Sequence, residues 1–186
     1  MNKAIFITTL FIFFSCDDTK HIRKYSLPKI PTIQNDFDSN SAQKSHLPFS
    51  WIAPDSWIVT DSGSMGFVVG KYKIPHGIGN ADLSISYFKG NVGGLLQNVN
   101  RWRSQIKLDA LTIDEVNAMT LYGNSPIGEY KMFKIINESN LNRGLLCFML
   151  TVNQNTVVVK LDCAINILND LEDDIKNFIN TFNYNN

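Results

Sequence analysis

The sequence contains three histidines and three cysteines, and its acidic and basic residues are equal in number. His21 and His46 lie in or beside a polar N-terminal segment and His76 lies in a predicted turn, so no two histidines have the spacing of a shared metal site. The acidic group from Asp170 to Asp174 lacks the alternating ligands and the glycine of a calcium-binding loop. We therefore predict no metal site and no cofactor.

No arrangement typical of nucleophilic catalysis is visible. Residues 61–66, DSGSMG, do not fit the G-x-S-x-G pattern, and they precede a predicted strand rather than open a helix. The scattered histidines offer no nearby base to a serine or cysteine nucleophile. A carboxylate pair stays open as an alternative, because such pairs come together only in the folded chain. The sequence favours a non-enzymatic protein, with an envelope hydrolase acting on glycan or peptide as the alternative.

The N-terminus, MNKAIFITTLFIFFSC, has the pattern of an export signal. Lys3 precedes an uncharged run, residues 4–14, which is too short to span a bilayer as a helix. The small residue Ser15 and then Cys16 follow, and this ending resembles the lipobox of bacterial lipoproteins, although Phe13 stands where that family usually has leucine. We predict a signal peptide over residues 1–15 and lipidation of Cys16. A secreted soluble form and an uncleaved anchor are the alternatives.

The next segment, residues 16–46, is polar, contains two prolines and has no apolar periodicity, which is typical of a flexible linker. A coil of this length spans roughly 30 Å. A single globular domain over residues 47–186 is predicted to follow, tethered to the membrane of the bacterial cell envelope on its periplasmic or extracellular side. The formal net charge is zero, so the protein has no overall electrostatic field that would attract nucleic acid. At the cell envelope, the expected partner is an envelope protein or a small ligand.

The apolar pattern alternates along the chain between a period of two, which predicts strands, and a period of three to four, which predicts helices. Strands are predicted at Trp51 and Ile52 and over residues 66–74, 81–88, 127–137, 143–152 and 156–162. Helices are predicted over residues 95–107, in a short stretch after Thr112, and over residues 164–182. This order predicts an α+β domain, an antiparallel sheet with a mid-chain helix and a C-terminal helix packed on it.

Two of these helices carry specific signals. Thr112 with Glu115 three residues later has the pattern of a capping box. The C-terminal segment has seven apolar residues at helical spacing, which predicts one buried face. They are Ile167, Leu168, Leu171, Ile175, Phe178, Ile179 and Phe182.

The stretch GNVGGLLQNVNRWRSQIKL, residues 90–108, offers a candidate binding site. Gly93 and Gly94 are interpreted as a sharp turn into the helix, with anion binding at the helix start as the alternative. The face formed by Leu95, Val99, Trp102 and Ile106 is predicted to be core.

Asn98, Arg101 and Gln105 fall together on another side of this helix. A row of amide, guanidinium and amide groups can grip a carboxylate, a glycan hydroxyl or a partner backbone, so these three residues are the candidate binding site. A polar helix surface with only local hydrogen bonds is the alternative. Arg103, beside the apolar stripe, is expected to pair with an acid or a carbonyl of the sheet.

Cys147 and Cys163 lie on the two arms of a predicted hairpin closed by the three residues 153–155. This loop makes the two cysteines direct or diagonal neighbours on one face of the sheet. A disulfide is conceivable in an exported protein, but a direct cross-strand bridge is strained. We predict two buried thiols.

Two resemblances rest on these residues. The pattern W-x-x-P-x-x-W at Trp51, Pro54 and Trp57, followed by G-x-x-G-G-x-x-x-N-x-x-R-W-R-x-Q from Gly90 to Gln105, resembles a family of uncharacterised exported bacterial lipoproteins. The order of elements is similar to the PsbP-like fold of a photosystem accessory protein and of small Ran-binding import factors. The second resemblance implies a compact sandwich that usually binds or assists other proteins.

Overall fold

The structure is a computed structural model that describes residues 47–60, 66–77, 79–139 and 142–185. The predicted signal peptide over residues 1–15, the lipidation site at Cys16 and the linker over residues 16–46 lie outside the described residues. Within the described part of the chain, no helix is long and apolar enough to cross a membrane.

The described residues form strands and helices in the predicted α+β order. The strands are β1 (Phe49–Ser50), β2 (Ile58–Val59), β3 (Val68–His76), β4 (Gly79–Phe88), β5 (Leu121–Ser125), β6 (Gly128–Asn137), β7 (Arg143–Val152), β8 (Asn155–Ala164) and β9 (Asn183–Tyr184). The helices are α1 (Gly94–Gln105), α2 (Ile113–Met119) and α3 (Ile165–Ile179). Seven strands make one antiparallel sheet in the order β2-β3-β4-β8-β7-β6-β5, and β1 pairs with β9. The predicted fold class is confirmed.

Helices pack on both faces of this sheet. Successive side chains of a strand point to opposite faces, so an apolar strand contributes to two cores. In β7, Leu146 and Phe148 belong to the cluster that includes α3, whereas Leu145 and Cys147 belong to the cluster that includes α1 and α2. The sheet is therefore the middle layer of a three-layer sandwich.

The two helix signals read from the sequence are confirmed. In α2, the Thr112 side chain accepts from the Glu115 backbone N–H, and the Glu115 carboxylate accepts from the Thr112 backbone N–H. In α3, six of the seven residues of the predicted apolar face are buried, and the seventh, Phe182, is buried just after the helix ends. Glu172 of α3 accepts from Lys134 of the sheet at 2.7 Å and from Lys176 at 2.8 Å, and both bonds lower the pKa of its carboxyl.

The strand prediction at Trp51 and Ile52 is wrong. The paired residues are Phe49 and Ser50, and Trp51 lies just after them. Its indole donates to the Tyr72 hydroxyl at 2.8 Å and stacks on the Phe182 ring at 5.6 Å between centroids. The sequence also missed β2, β5 and β9, because strands of two residues have no visible period and β5 reads LYGNS, a composition common in turns.

The register of β7 and β8 corrects the cysteine prediction. Asn153 and Gln154 have φ of 49° and 64°, which makes a two-residue turn, and Val152 pairs directly with Asn155. The predicted loop had three residues, and a slip of one residue reverses the face of every side chain. Cys147 therefore faces α1 and Cys163 faces α3, so they are not neighbours on one face.

Both thiols are expected to stay free. Burial raises the pKa of the Cys147 thiol well above its ordinary value, although Lys160 and Arg101 nearby oppose this effect, and burial raises the pKa of Cys163 to about 12. Non-reducing mass spectrometry should give the mass of two thiols, and alkylation should need denaturant. A mass lower by two hydrogens would show a bridge and contradict the register.

Candidate functional site

The candidate site begins where the chain turns from β4 into α1. Gly93 and Gly94 have φ of 78° and 63°, left-handed values that a side chain at either position would disfavour. The interpretation of these glycines as a sharp turn is therefore confirmed. Val99, Trp102 and Ile106 of the predicted core face are buried under the helix, and Leu95 is half-buried beside them.

Asn98 does not lie on an exposed surface, which corrects its predicted position. Its side chain is 3% exposed, and its amide nitrogen donates to the carbonyl oxygens of Val92 at 2.8 Å and Gly94 at 2.7 Å. Its amide oxygen accepts from the Arg101 guanidinium. Asn98 thus ties the glycine turn to the first turn of α1, and its amide is occupied on both ends.

Arg101 and Gln105, the other two candidate residues, are exposed along the same side of α1. Gln105 accepts from the Lys160 ammonium at 2.9 Å, which joins the helix to the neighbouring strand β8. Arg103 instead donates from Nε to the carbonyl oxygen of Asp109 at 2.6 Å. The expected carbonyl partner is present, but it belongs to the loop after α1 rather than to the sheet.

The sheet beside Arg101 and Gln105 carries a row of polar side chains that the sequence prediction missed. Lys71 of β3 is the direct partner of Ser84 of β4, and Ser84 is the direct partner of Lys160 of β8. Direct partners in antiparallel strands present their side chains on the same face. The sequence did carry one signal for this row. Lys71 and Lys73 alternate with residues that are buried, and this alternation indicates that one side of the strand faces solvent.

We name the basic face as Lys71, Ser84, Arg101, Gln105 and Lys160. Three of these side chains are cationic, and no carboxylate of the described residues lies within ion-pair distance of them. The lysines and Arg101 offer only donors, while the Ser84 hydroxyl adds one more. The arrangement therefore suits an anionic group placed between α1 and β3.

Two acids, Asp82 and Asp162, lie one step along the strands from the basic face, and Asp162 has its own cation. Asp82 is the direct partner of Asp162 and also of Lys73. The Arg143 guanidinium donates from Nε to one Asp162 oxygen at 2.7 Å and from Nη2 to the other. This fork raises the pKa of Arg143. Asp162 is consequently engaged by Arg143 rather than by the lysines of the basic face.

The hydrolase alternative requires a pair of carboxylates, and Asp82 and Asp162 are the candidates for that pair. Asp82 and Asp162 are adjacent on one face, but both Asp162 oxygens are occupied by Arg143. Neither acid lines the groove of 790 Å³ that the sheet forms near the β7-β8 turn. A catalytic pair needs room for a substrate and for water between the carboxyls, so this geometry favours an ion-pair network.

No group of three or more histidine, cysteine, aspartate or glutamate side chains in the described ranges could hold a metal ion. His76 is in the described part and lies 3.6 Å from an Asp170 oxygen, whereas His21 and His46 are outside it. The described residues therefore present a site built from ammonium, guanidinium, amide and hydroxyl groups.

The comparisons with known proteins bear on the fold alone. No protein-family model and no curated protein matches this sequence. Among solved structures, the chain is similar to the solution structure of cyanobacterial PsbP (CyanoP) from Synechocystis sp. PCC 6803, with a TM-score of 0.51 and 13% identity. The match covers 79% of this chain and 90% of that chain. The predicted PsbP-like fold is therefore confirmed, and the resemblance to exported lipoproteins stays a prediction.

Proposed function

We propose that this protein is a lipid-anchored accessory domain of the bacterial cell envelope that binds an acidic segment of an envelope protein through its basic face. The observation that carries the proposal is the set of three cations, Lys71, Arg101 and Lys160, on one open surface with no carboxylate of the described residues in reach. The PsbP-like fold is consistent with a non-catalytic accessory role.

The chemistry of this face favours carboxylates as the bound groups. A guanidinium presents paired N–H donors that match the two oxygens of a carboxylate, and ammonium and hydroxyl groups can satisfy further oxygens. The flanking acids Asp82 and Asp162 lie on the same face of the sheet as Ser84 and Lys160, so they limit the extent of the positive region along the strands. A short acidic segment therefore fits better than a long polyanion, and the interaction should weaken with salt.

Binding is tested with a peptide of ten glutamates at low ionic strength. Reversing Lys71, Arg101 and Lys160 together to glutamate is expected to weaken binding by at least about tenfold, since each removes an attraction and adds a repulsion. Lys89→Glu is the matched control, because Lys89 is exposed beyond the end of β4, and it should change the affinity by less than about threefold. Equal losses in both proteins would contradict the basic face as the site.

The tether is tested separately in cells. Cys16→Ala is expected to release the exported protein from the membrane fraction, because the acyl chains supply the attachment in the proposal. Proximity labelling from the domain then identifies neighbours that depend on the anchor. If the Cys16→Ala protein stays membrane-bound after signal-peptide removal, lipidation is wrong, whereas the binding test above is unaffected.

A further inference from the structure

β5 (Leu121–Ser125) is an edge strand with no obvious protection. It ends the seven-stranded sheet, and among the described residues only β6 pairs with it. In an antiparallel strand about half of the backbone groups point away from such a single partner. Natural edges usually carry lysine, proline or a bulge that blocks further pairing, and β5 has none of these.

The two large side chains at the start of β5 are exposed on opposite faces of the sheet. Leu121 is 53% exposed and Tyr122 is 69% exposed. The opposite edge, β2, has only two paired residues and offers a shorter template. Exposed apolar side chains beside unpaired backbone groups are the features of a strand that accepts another strand.

The backbone of β5 is also held in place. The Tyr130 ring lies against Gly123, where any added Cβ would overlap it, and this ring packs edge-on against Phe148. The Tyr184 hydroxyl donates to the carbonyl oxygen of Ile127 in the β5-β6 turn at 3.0 Å. A rigid edge loses little entropy when it pairs, which favours binding.

A groove of 790 Å³ opens directly inside this edge. Tyr122 stands on its rim, Leu95 and Met149 contribute apolar walls, and Glu129, Lys131 and Thr151 supply polar groups. Polar side chains outnumber apolar ones in this lining, so an apolar side chain that enters the groove would pack against the wall of Leu95, Met149 and Leu150.

We propose that β5 is a docking edge for an extended, uncharged segment of a partner protein, which adds an eighth strand to the sheet and places an apolar side chain in the groove. This site lies on the far side of α1 from the basic face and goes beyond the function proposed above. The segment should be uncharged because β5 has no charged residue to pair with a desolvated ion.

A second copy of this chain fits the edge less well. Pairing two five-residue edges buries much less than the roughly 1,200–2,000 Å² of a stable interface. The partner edge would also present a flat strand that is anchored in its own sheet, so its side chains would not reach into the groove. A free segment can do both, pairing its backbone along β5 and turning one side chain inward.

The test selects peptides from a random twelve-residue display library on the full mature chain and measures their affinities by fluorescence anisotropy. Leu121→Lys should weaken the selected peptides by at least about tenfold, because a lysine on the edge opposes pairing. Ile113→Lys makes the same change on α2, where Ile113 is 45% exposed, and should alter the affinity by less than about twofold.

A second measurement uses the unaltered protein and so does not depend on how the variants fold. Methylating the peptide backbone nitrogens one at a time should reduce affinity about tenfold at alternate positions only, since every second N–H bonds to β5. An absence of selected peptides, equal binding to Leu121→Lys, or methylation losses without alternation would each overturn the proposal. Self-association of the chain that Leu121→Lys abolishes would also overturn it, in favour of a second copy.

Discussion

Replacing Trp102 by alanine is expected to lower the free energy of unfolding by about 3–5 kcal/mol. The Trp102 side chain is 2% exposed, and its ring centroid lies 6.0 Å from that of Phe133 in β6. Val99 and Ile106 flank it on the same helix face, both with no exposed surface. The substitution removes the largest side chain that holds α1 on the sheet, so it should also disturb the basic face.

Chemical unfolding in urea, followed by circular dichroism, measures this change. Gln105→Ala on the exposed side of α1 is the matched control, and its effect should stay within about 0.5 kcal/mol. A loss below about 1 kcal/mol for Trp102→Ala would mean that α1 does not pack on the sheet through this side chain.

Asn98→Ala is expected to destabilise the domain by about 1–3 kcal/mol, because it removes the buried amide that bonds to two backbone carbonyls at the glycine turn. The same denaturant experiment gives the value. Arg101→Ala is the comparison, since Arg101 is exposed and bonds to the other end of the same amide. Its loss should cost less than about 1 kcal/mol.

The two substitutions separate structure from binding. If Asn98 acted as an exposed ligand-binding residue, Asn98→Ala would weaken binding of the glutamate peptide while stability stayed unchanged. Because Asn98 is buried, we expect Asn98→Ala to lower the stability of the domain. Binding of the peptide should weaken only to the extent that α1 packs less firmly on the sheet. For Arg101→Ala, the expectation is weaker binding at nearly normal stability.

Much of the fold was predictable because periodic burial leaves a direct trace in the residue pattern. The buried face of α3, the capping box at Thr112 and Glu115, and the core face of α1 depend on neighbours within two turns of a helix. The same holds for the long strands, where alternation spans several residues. β5 was missed because its five residues owe their conformation to pairing with β6 rather than to their own propensities.

The candidate site was predictable only in part. The amide of Asn98 and the guanidinium of Arg101 are both polar, so residue type does not reveal that one points into the glycine turn and the other toward solvent. Lys71, Ser84 and Lys160 come from three strands and meet only because β4 pairs with both β3 and β8. No local spacing in the sequence encodes that meeting.

The sequence by itself determined the types of the long strands and of the helices, the core faces of α1 and α3, and the α+β class, since these follow from local periodicity. Tertiary structure alone decided the strand order, the opposite faces of Cys147 and Cys163, the burial of Asn98 and the basic face. The physical reason is that register and strand order depend on turn geometry and on contacts between distant segments. One residue fewer in the turn at Asn153 and Gln154 was sufficient to separate the two cysteines.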